Sequence, residues 1–347
     1  MSELSLPADA GEWDDLADRA RATLFLRPAY VGAWHRAFGS GELRILAIRR
    51  DGRLAAVLPL QEARGGSLRS PTNYHTPEYG FLAEDAEAAV ELARAAFARR
   101  PRSVFLQFVE QNGFGLDEWR SAARSGGYTL RERVLERSPW ITTDGDWDEY
   151  QRTIGAKAIA DVRRRRRRLE EVGTVSIDLG DGGSDLDATL AEGFAVEAAG
   201  WKGEQGTAIL SRPETRGFYE ELARIARARG ALHVAFLRVD GRGVAFELNL
   251  REGGIHYRIK AGFDPGFGRF APSKLLLHAV IADCFGQSMD RFEFLGTDDA
   301  YKLEWASEVR EMLLVQAFAG GVAGRIELGA YDYGRPLAKR VLGLVGR

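Results

Sequence analysis

The sequence predicts a mixed α/β protein of two halves, each a mostly antiparallel, twisted sheet flanked by helices. Its 347 residues are many for one hydrophobic core and comfortable for two. In the first half, Asp51 and Gly52 separate two apolar runs, which is the pattern of a β-hairpin. The elements after this hairpin, in the order helix, strand, helix and strand, return in the second half. We therefore expect two domains, over residues 1–143 and 144–347.

The composition narrows the class of protein. With a net charge of -2, the chain has no overall attraction to nucleic acid or membrane surfaces, so such binding must be local. Cys284 is the single cysteine, which excludes a disulfide framework and a cysteine metal cluster. The histidines lack metal-ligand spacing, so we expect no metal. No segment has the pattern of a signal peptide or a membrane span, and we expect a cytoplasmic protein.

The most informative stretch, from Gly253 to Ala282, combines a strand, a glycine-rich loop and a helix that begins at Pro272. Proline is favoured in the first helical turn, and the amides of Ser273 and Lys274 are expected to be free donors there. Free amides and the helix dipole attract anions, so this helix start is a candidate anion site. The alternative is an ordinary connection whose amides bind water.

The loop before this helix also fits a dinucleotide-binding pattern, G-x-G-x-x-A, from Gly266 to Ala271. That pattern needs a parallel strand, a turn and a helix. Here the preceding strand ends an antiparallel meander, with turns at Asp240-Gly241 and Gly253-Gly254. We therefore reject dinucleotide binding.

An unbroken run of arginines, Arg163 to Arg168, lies in a predicted helix over residues 156–172. The apolar residues of this helix form one stripe, and Arg165 or Arg166 fills its missing step. An inward arginine needs an anionic partner to offset its desolvation, so Arg166 is a candidate substrate contact. The alternative is a solvated, charged face.

Two loops combine polar and aromatic groups in the way that substrate-facing loops do. They are Ser70–Gly80 and Gly200–Gly206, and a surface turn is the alternative for each. The candidate substrate contacts in these loops are Asn73, Tyr74, His75, Tyr79, Trp201 and Lys202.

The run from Phe218 to Trp305 resembles the Gcn5-related N-acetyltransferase (GNAT) superfamily. The resemblance lies in the segments HVAFLRVDGRGVAFELNL, HYRIKAGFDP, APSKLLL and FEFLGTDDAYKLEW. More narrowly, the chain is similar to CelD/BcsL-like acetyltransferases and to FemAB-type transferases, which have two GNAT-like halves. The resemblance implies that residues 1–143 form a GNAT-like domain on the acceptor side. Residues 144–347, with the arginine-rich helix, would then bind the acyl donor.

The acyl donor of this family is usually a thioester of coenzyme A. The resemblance implies that it lies beside the strand Ile255–Gly262, with its pyrophosphate at the following helix start. The usual loop R/Q-x-x-G-x-G/A is replaced here by Gly268–Lys274. FemAB-type relatives use aminoacyl-tRNA, and the arginine run would suit an RNA backbone, so this donor is the alternative. The residues implied in donor binding are Ala261, Gly262, Phe263, Pro272, Ser273 and Lys274.

Acyl transfer to an amine needs a neutral nucleophile, donors aimed at the developing oxyanion, and an acid for the leaving group. The amides at the end of the strand Ile255–Gly262 suit the oxyanion. The resemblance implies that Tyr301 is the acid and that Tyr257 and Lys260 contact a substrate. The candidate bases are Asp298, Glu247 and Glu293, of which Asp298 has the best loop position.

These features predict an N-acyltransferase that moves an acyl group, most simply acetyl, from acyl-CoA to the amine of a small molecule or an amino sugar. The first alternative is a FemAB-type transferase that takes its donor from aminoacyl-tRNA. The second is a GNAT-like binding module without catalysis, against which Tyr301 and its acidic neighbours argue.

Overall fold

A computed structural model describes residues 2–6, 8–200, 203 and 205–334 of the chain. The chain divides into two compact units. The first comprises residues 1–135 and 311–347, and the second comprises residues 136–310. The predicted mixed α/β fold, with mostly antiparallel sheets flanked by helices, is confirmed. Two candidate contacts, Trp201 and Lys202, lie outside the described residues.

The helices, in chain order, are α1 (Ala10–Arg19), α2 (Pro28–Phe38), α3 (Ala86–Ala98), α4 (Leu116–Ser125), α5 (Trp147–Ile154), α6 (Ala156–Glu170), α7 (Leu186–Ala198), α8 (Pro213–Ala228), α9 (Pro272–Gly286), α10 (Ala300–Leu303) and α11 (Val322–Gly329). The strands are β1 (Ser2–Leu4), β2 (Leu43–Arg50), β3 (Arg53–Ala63), β4 (Ser67–Arg69), β5 (Leu82–Ala83), β6 (Ser103–Glu110), β7 (Tyr128–Thr142), β8 (Val175–Gly180), β9 (Leu232–Val239), β10 (Arg242–Glu252), β11 (Ile255–Phe263), β12 (Arg291–Glu293) and β13 (Glu308–Ala319).

The hairpin turns that the sequence predicts are confirmed. Asp51 and Gly52 join β2 to β3, and their φ angles are 50° and 79°. The turns Asp240-Gly241 and Gly253-Gly254 join β9 to β10 and β10 to β11, again with positive φ at both positions. Such turns match the twist of antiparallel strands, which explains why Gly and Asp occupy them.

The first unit contains one sheet covered by α3 and α4. β2, β3 and β4 are antiparallel neighbours, β4 pairs in parallel with β6, and β6 pairs in antiparallel with β13. The core between sheet and helices includes Leu92 and Phe97 from α3 and Trp119 from α4. Leu313 and Val315 of β13 belong to the same core.

The second unit has a sheet with helices on both faces. β8, β9, β10 and β11 are antiparallel neighbours, and β11 pairs in parallel with β12. β12 pairs in turn with residues 140–142 of β7. On one face α9 buries Leu276, Val280 and Ile281 completely. On the other face α7 packs on β10, where the ring centres of Phe194 and Phe246 are 6.3 Å apart.

The two units repeat one topology. In each, three antiparallel strands are followed by a helix, by a strand parallel to the third one, by a second helix and by a last strand. The last strands are exchanged, because β7 follows α4 but ends beside β12, whereas β13 follows α10 and pairs with β6. The first unit therefore consists of two separate segments of the sequence, and no single boundary divides the two units. The predicted domains 1–143 and 144–347, with their acceptor and donor sides, stay a prediction.

His278 on α9 is packed between two tryptophans of the second unit. Its ring centre lies 5.2 Å from that of Trp147 and 6.0 Å from that of Trp305. Nε2 of His278 is buried and has no hydrogen-bond partner among the described residues. Burial, together with the charges of Arg163 and Arg166, lowers the pKa of His278 to about 4. The folded protein therefore holds this imidazole neutral at pH 7.

This histidine makes stability depend on pH. Between about pH 4 and pH 6.5 the unfolded chain binds a proton that the folded chain does not, so the unfolding free energy rises with pH in this window. In the parent this histidine should lower the unfolding free energy by about 3 kcal/mol between pH 7 and pH 4, and we expect His278→Phe, which keeps an aromatic ring, to remove that loss. Urea unfolding at several pH values measures this. The same slope in the parent and the variant would contradict it.

α7 crosses β10 so closely that glycine is needed at the contact. A Cβ atom at Gly193 would lie 2.2 Å from Cε2 of Phe246. We expect Gly193→Ala to cost about 1–3 kcal/mol of unfolding free energy, as overpacked cores do. The control is Gly217→Ala on the exposed side of α8, where a Cβ meets nothing within 4 Å. Gly217→Ala should stabilise the protein by about 0.5–1 kcal/mol. Urea unfolding should therefore show changes in unfolding free energy of opposite sign for the two variants.

Candidate active site

An extra residue in β11 sets the directions of the side chains around the candidate site. Leu248 and Asn249 are consecutive in β10, but they pair with Lys260 and Arg258, so Ile259 has no counterpart. Such a β-bulge interrupts the alternation of side chains along a strand. As a result Arg258 reaches α9, whereas Lys260 reaches α8 on the other face of the sheet.

The predicted substrate contacts Tyr257 and Lys260 lie on the same face because of this bulge. Nζ of Lys260 is 5.1 Å from the centre of the Tyr219 ring on α8, and Tyr257 is buried. Gly262 belongs to the same face, where a Cβ atom would come within 2.4 Å of Cα of Glu197. Glycine at this position therefore allows α7 to lie directly against the strand.

β11 and β12 part after a short parallel pairing. The pairing covers Ile255–Tyr257, and β12 ends at Glu293, whereas β11 continues to Phe263. After β12, Leu295 and Gly296 have φ angles of 57° and 66°. Left-handed backbone of this kind cannot continue a strand, so the chain leaves the sheet here.

Lys302 fixes the turn that follows β12. Its buried Nζ donates to the carbonyl oxygens of Leu295 and Thr297, both at 2.8 Å, and pairs with Asp299 at 3.1 Å. These three acceptors satisfy the three donors of an ammonium group. Lys302 directly follows Tyr301, so the start of α10 is held in a fixed position.

Arg258 joins four elements of the second unit. Only 6% of this residue is exposed. Nε and Nη2 lie 2.8 and 2.6 Å from Oε1 of Glu247 on β10, and Nη1 donates to the hydroxyl of Tyr301 at 3.2 Å. Nη2 also lies 3.5 Å from the hydroxyl of Ser273, at the start of α9. One side chain of β11 thus links β10, α9 and α10.

Glu247 and Arg258 are a buried ion pair. Burial raises the pKa of Glu247, and the Arg258 guanidinium opposes this. Burial lowers the pKa of Arg258, but Glu247 and then Tyr301 act against it, and the pKa of Arg258 is raised overall. Arg258 therefore stays charged. Glu247 has no exposed surface, so a substrate amine could not reach this predicted base without movement of its neighbours.

The other candidate acid and base residues differ in access. Tyr301 is 46% exposed. Asp298 is partly exposed, and its Oδ2 lies 3.3 Å from Nη1 of Arg137. Glu293 is buried and faces Arg310, with 3.3 Å between Oε2 and Nε. Of the predicted bases, Asp298 is therefore the one open to a substrate.

The start of α9 keeps one of its two predicted free amides. The amide of Lys274 donates to the carbonyl of Ala271 at 3.0 Å, which corrects the expectation that it is free. This bond forms because Ala271 has a left-handed conformation, with φ 50°, at the helix start. Pro272 has no N–H, and the amide of Ser273 has no acceptor among the residues that the structure describes. Nζ of Lys274 pairs with Glu304 at 3.1 Å, which offsets part of its charge.

The arginines of α6 divide over two sides of the helix. Arg165 is the inward member, since its Nε lies 2.7 Å from Oδ2 of Asp161 and its Nη1 donates to the carbonyl of Arg269 at 3.2 Å. Arg269 belongs to the loop before α9, so this side of α6 borders the predicted phosphate site. Arg166 is exposed and pairs with Glu170 at 3.0 Å, and its role as a substrate contact stays a prediction.

A groove of about 1150 Å³ lies between α5 and α6. Arg152 on α5 and Arg163, Arg166 and Arg167 on α6 line it, together with acidic side chains. Within the described part of the chain, Arg152, Arg163 and Arg167 have no carboxylate at ion-pair distance. These three arginines therefore lie in the groove without an ion pair to any of the described residues.

The predicted contacts of the first unit lie in a loop fixed by hydrogen bonds. Oδ1 of Asn73 accepts from the amide of His75 at 2.9 Å and from Nε1 of Trp34 at 3.3 Å. Tyr79 is buried, and its hydroxyl donates to a backbone carbonyl of β3 at 2.7 Å. Tyr74 is 64% exposed, so it is the most accessible of these residues.

Sequence reasoning missed Arg258 and Lys302. For Arg258 a signal existed, since a charged residue within an otherwise apolar strand needs a partner when the strand is buried. The partner, Glu247, lies in the neighbouring strand of the predicted meander. Lys302 gave no such signal, because its acceptors are mostly carbonyl groups of a turn that the sequence does not define.

The described residues hold no group of three or more His, Cys, Asp or Glu side chains arranged for a metal ion. The expectation that no metal takes part stays a prediction. None of the described helices has the length and apolar character needed to cross a membrane.

The comparison with protein families identifies residues 156–303 as an acetyltransferase (GNAT) domain. This segment runs from the start of α6 to the end of α10, so it includes the bulge, Arg258 and Tyr301. No curated protein matches the sequence.

Solved structures similar to the chain cover nearly all of it. FemX matches with a TM-score of 0.65 and 12% identity, over 91% of this chain and 97% of FemX. The second is the C-terminal domain (DUF2156) of a candidate lysylphosphatidylglycerol synthetase from Agrobacterium fabrum, with a TM-score of 0.58 and 13% identity over 94% of this chain and 96% of that one. A protein of unknown function from Bacteroides thetaiotaomicron has a TM-score of 0.53 and 11% identity, over 91% and 98%.

At these identities the structures show a shared fold and no more. The predicted resemblance to a double-GNAT, FemAB-related group is confirmed by the domain family and by the FemX-like fold. The prediction of an enzyme is confirmed by the acetyltransferase domain. Residues 156–303 are therefore a GNAT acetyltransferase domain, and the chain as a whole has a fold similar to that of FemX.

Proposed function

We propose that the chain transfers an acyl group, most simply acetyl, from acyl-CoA to the amine of a small molecule or an amino sugar. One observation carries the proposal. Tyr301 is a half-exposed residue whose hydroxyl accepts a hydrogen bond from Arg258, the first residue of β11 beyond its pairing with β12. A proton donor at this point suits a thioester that lies where the two strands part.

The proposed reaction is a direct acyl transfer. The neutral amine attacks the thioester carbonyl, a C–N bond forms, and the C–S bond breaks. The amine proton passes to a base, for which the partly exposed Asp298 is the candidate. Tyr301 gives its proton to the leaving thiolate, so the products are an amide and a free thiol. The amides near Ala261 and Gly262 are the candidate donors to the oxyanion.

The donor would lie along the end of β11, at Ala261, Gly262 and Phe263, with its phosphates at the start of α9. The free amide of Ser273 follows Pro272, and such an amide suits a phosphate oxygen. The cationic side chains of Arg269 and Lys274 belong to the same loop and helix start. A free amide and neighbouring cations are groups that can bind a pyrophosphate.

Lys260 is a proposed contact of the acceptor. Lys260 carries a positive charge on the α8 side of the sheet, next to Tyr257, and would suit an anionic group of the acceptor. The other proposed contacts are Trp201, Lys202, Asn73, Tyr74, His75 and Tyr79. We also propose that the enzyme acts in the cytoplasm and without a metal.

A second candidate donor is aminoacyl-tRNA. The groove between α5 and α6 favours it, because Arg152, Arg163 and Arg167 pair with no acid of the described residues. The phosphodiester backbone of RNA would neutralise such arginines and release counterions.

Tyr301→Phe tests the proposed acid, since it removes the hydroxyl and keeps the ring. We expect turnover to fall by about 10²- to 10⁴-fold, the range of general acid catalysis, with little change in donor affinity. The measurement is thiol release from acetyl-CoA with a panel of small amines and amino sugars. Tyr128→Phe is the control, because that hydroxyl only donates to a backbone carbonyl at 2.7 Å. Turnover within about threefold of the parent would exclude the role of Tyr301.

Two arginine pairs on one helix distinguish the donors. Arg163→Gln/Arg167→Gln removes two charges from the groove, and Arg164→Gln/Arg168→Gln removes two from α6 outside it. If aminoacyl-tRNA is the donor, only the variant Arg163→Gln/Arg167→Gln should bind bulk aminoacyl-tRNA more weakly. The slope of its log K against log salt concentration should also become less steep, by roughly 0.7–0.9 for each lost phosphate contact. Under the acyl-CoA proposal both variants keep the turnover of the parent. Equal effects of the two pairs on RNA binding would contradict a specific groove.

A further inference from the structure

We propose that the buried pair of Arg258 and Glu247 positions the hydroxyl of Tyr301 for proton transfer and stabilises the phenolate that this transfer leaves. The inference rests on the proposed function, since it takes Tyr301 as the acid. It makes Arg258 and Glu247 positioning residues, which act through Tyr301 and do not touch the reacting atoms.

The geometry fixes the direction of the Tyr301 proton. A guanidinium has five N–H donors and no acceptor, so the contact of 3.2 Å between Nη1 of Arg258 and the Tyr301 oxygen is a bond that Tyr301 accepts. The hydrogen of Tyr301 must then point away from Arg258. Because about half of the Tyr301 residue is exposed, we place the ligand that receives this hydrogen on the solvent side of α10.

Glu247 fixes the direction of the guanidinium. Nε and Nη2 of Arg258 both contact Oε1 of Glu247, at 2.8 and 2.6 Å, so the planar group cannot rotate without breaking two contacts. Nη1, the remaining arm, is thereby aimed at Tyr301. Ser273, 3.5 Å from Nη2, lies at the helix start proposed to bind the donor's phosphates. The same cation therefore connects the proton donor with that helix start.

Stability alone gives little reason for this pair. Burying two charges carries a large desolvation cost, and well-packed apolar residues often replace a buried ion pair without loss. The pair also depends on the bulge at Ile259. Without this bulge, Arg258 would lie on the same face of the sheet as Lys260. The proposed reason for the buried charge of Arg258 is that it positions the hydroxyl of Tyr301.

The chemical step balances as follows. The O–H bond of Tyr301 breaks, its proton forms an S–H bond with the leaving thiolate, and the electron pair stays on the phenolate oxygen. Arg258 already donates to that oxygen, so the negative charge forms next to a fixed, buried cation. The phenolate then regains a proton through solvent, to which the base releases the proton that it took from the amine.

Arg258→Lys is the first test. A lysine keeps the positive charge for Glu247, but its single ammonium cannot hold the fork that also reaches Tyr301. With acetyl-CoA we expect kcat to fall about 10- to 100-fold while KM for the donor stays within about threefold. With an acetyl thioester of a more acidic aryl thiol, whose thiolate leaves without a proton, the defect should largely disappear. A residue with a purely structural role would slow both donors alike.

The control is Arg251→Lys. Arg251 lies on the same face of the sheet, pairs with Asp283 and donates to Nδ1 of His256 at 3.0 Å, but it makes no contact with Tyr301. Arg251→Lys should therefore not change how kcat depends on the leaving thiol. A second test combines Arg258→Lys with Tyr301→Phe, where the loss of the hydroxyl should make the lysine substitution nearly silent.

Glu247→Gln/Arg258→Gln removes both buried charges at once, so neither is left unpaired if the single change destabilises the fold. It should show the same dependence on the leaving group as Arg258→Lys. Misfolding of both variants, or an equal loss with both donors, would make the pair structural and overturn the proposal. Normal turnover of Arg258→Lys beside a slow Tyr301→Phe would overturn it and leave the proposed function intact. Normal turnover of Tyr301→Phe would refute the acid itself, and this inference with it.

Discussion

One additional residue in β11, Ile259, determines what each face of the second sheet presents. Strict alternation would place Arg258 and Lys260 on the same side. The bulge separates them, so that a cation lies beneath α9 while another faces α8. The ion pair with Glu247, the bond to Tyr301 and the close approach of α7 at Gly262 all depend on this register. The arrangement around the candidate site is thus a consequence of one local irregularity.

Much of the frame could be predicted because its signals are local. Asp-Gly and Gly-Gly pairs between apolar runs define their turns by backbone conformation alone, and they occur where expected. The helix that begins at Pro272 and the arginine-rich helix were likewise visible in the sequence. The repeated order of elements correctly indicated two similar units, although no sequence identity supported it.

The details of the site could not be predicted because they depend on contacts distant in sequence. Nothing local distinguishes the bulged Ile259 from its neighbours, so the partner of Arg258 could not be assigned. The amide of Lys274 is engaged because Ala271 adopts a left-handed conformation, and its ammonium is paired because Glu304 lies nearby in space. The arginine run was one feature in the sequence, but the fold divides it between the loop before α9 and a separate groove.

The exchange of last strands has a consequence for biosynthesis. β13, which completes the sheet of the first unit beside β6, is made after every element of the second unit. On the ribosome, the first 135 residues can therefore collapse but cannot close their core, since Leu313, Val315 and Ala317 belong to it. The usual order, in which an N-terminal domain finishes folding before the next one emerges, does not apply to this chain. Its nascent form must keep the edge of β6 open until β13 has been translated, and an open edge of this kind is prone to pair with other chains.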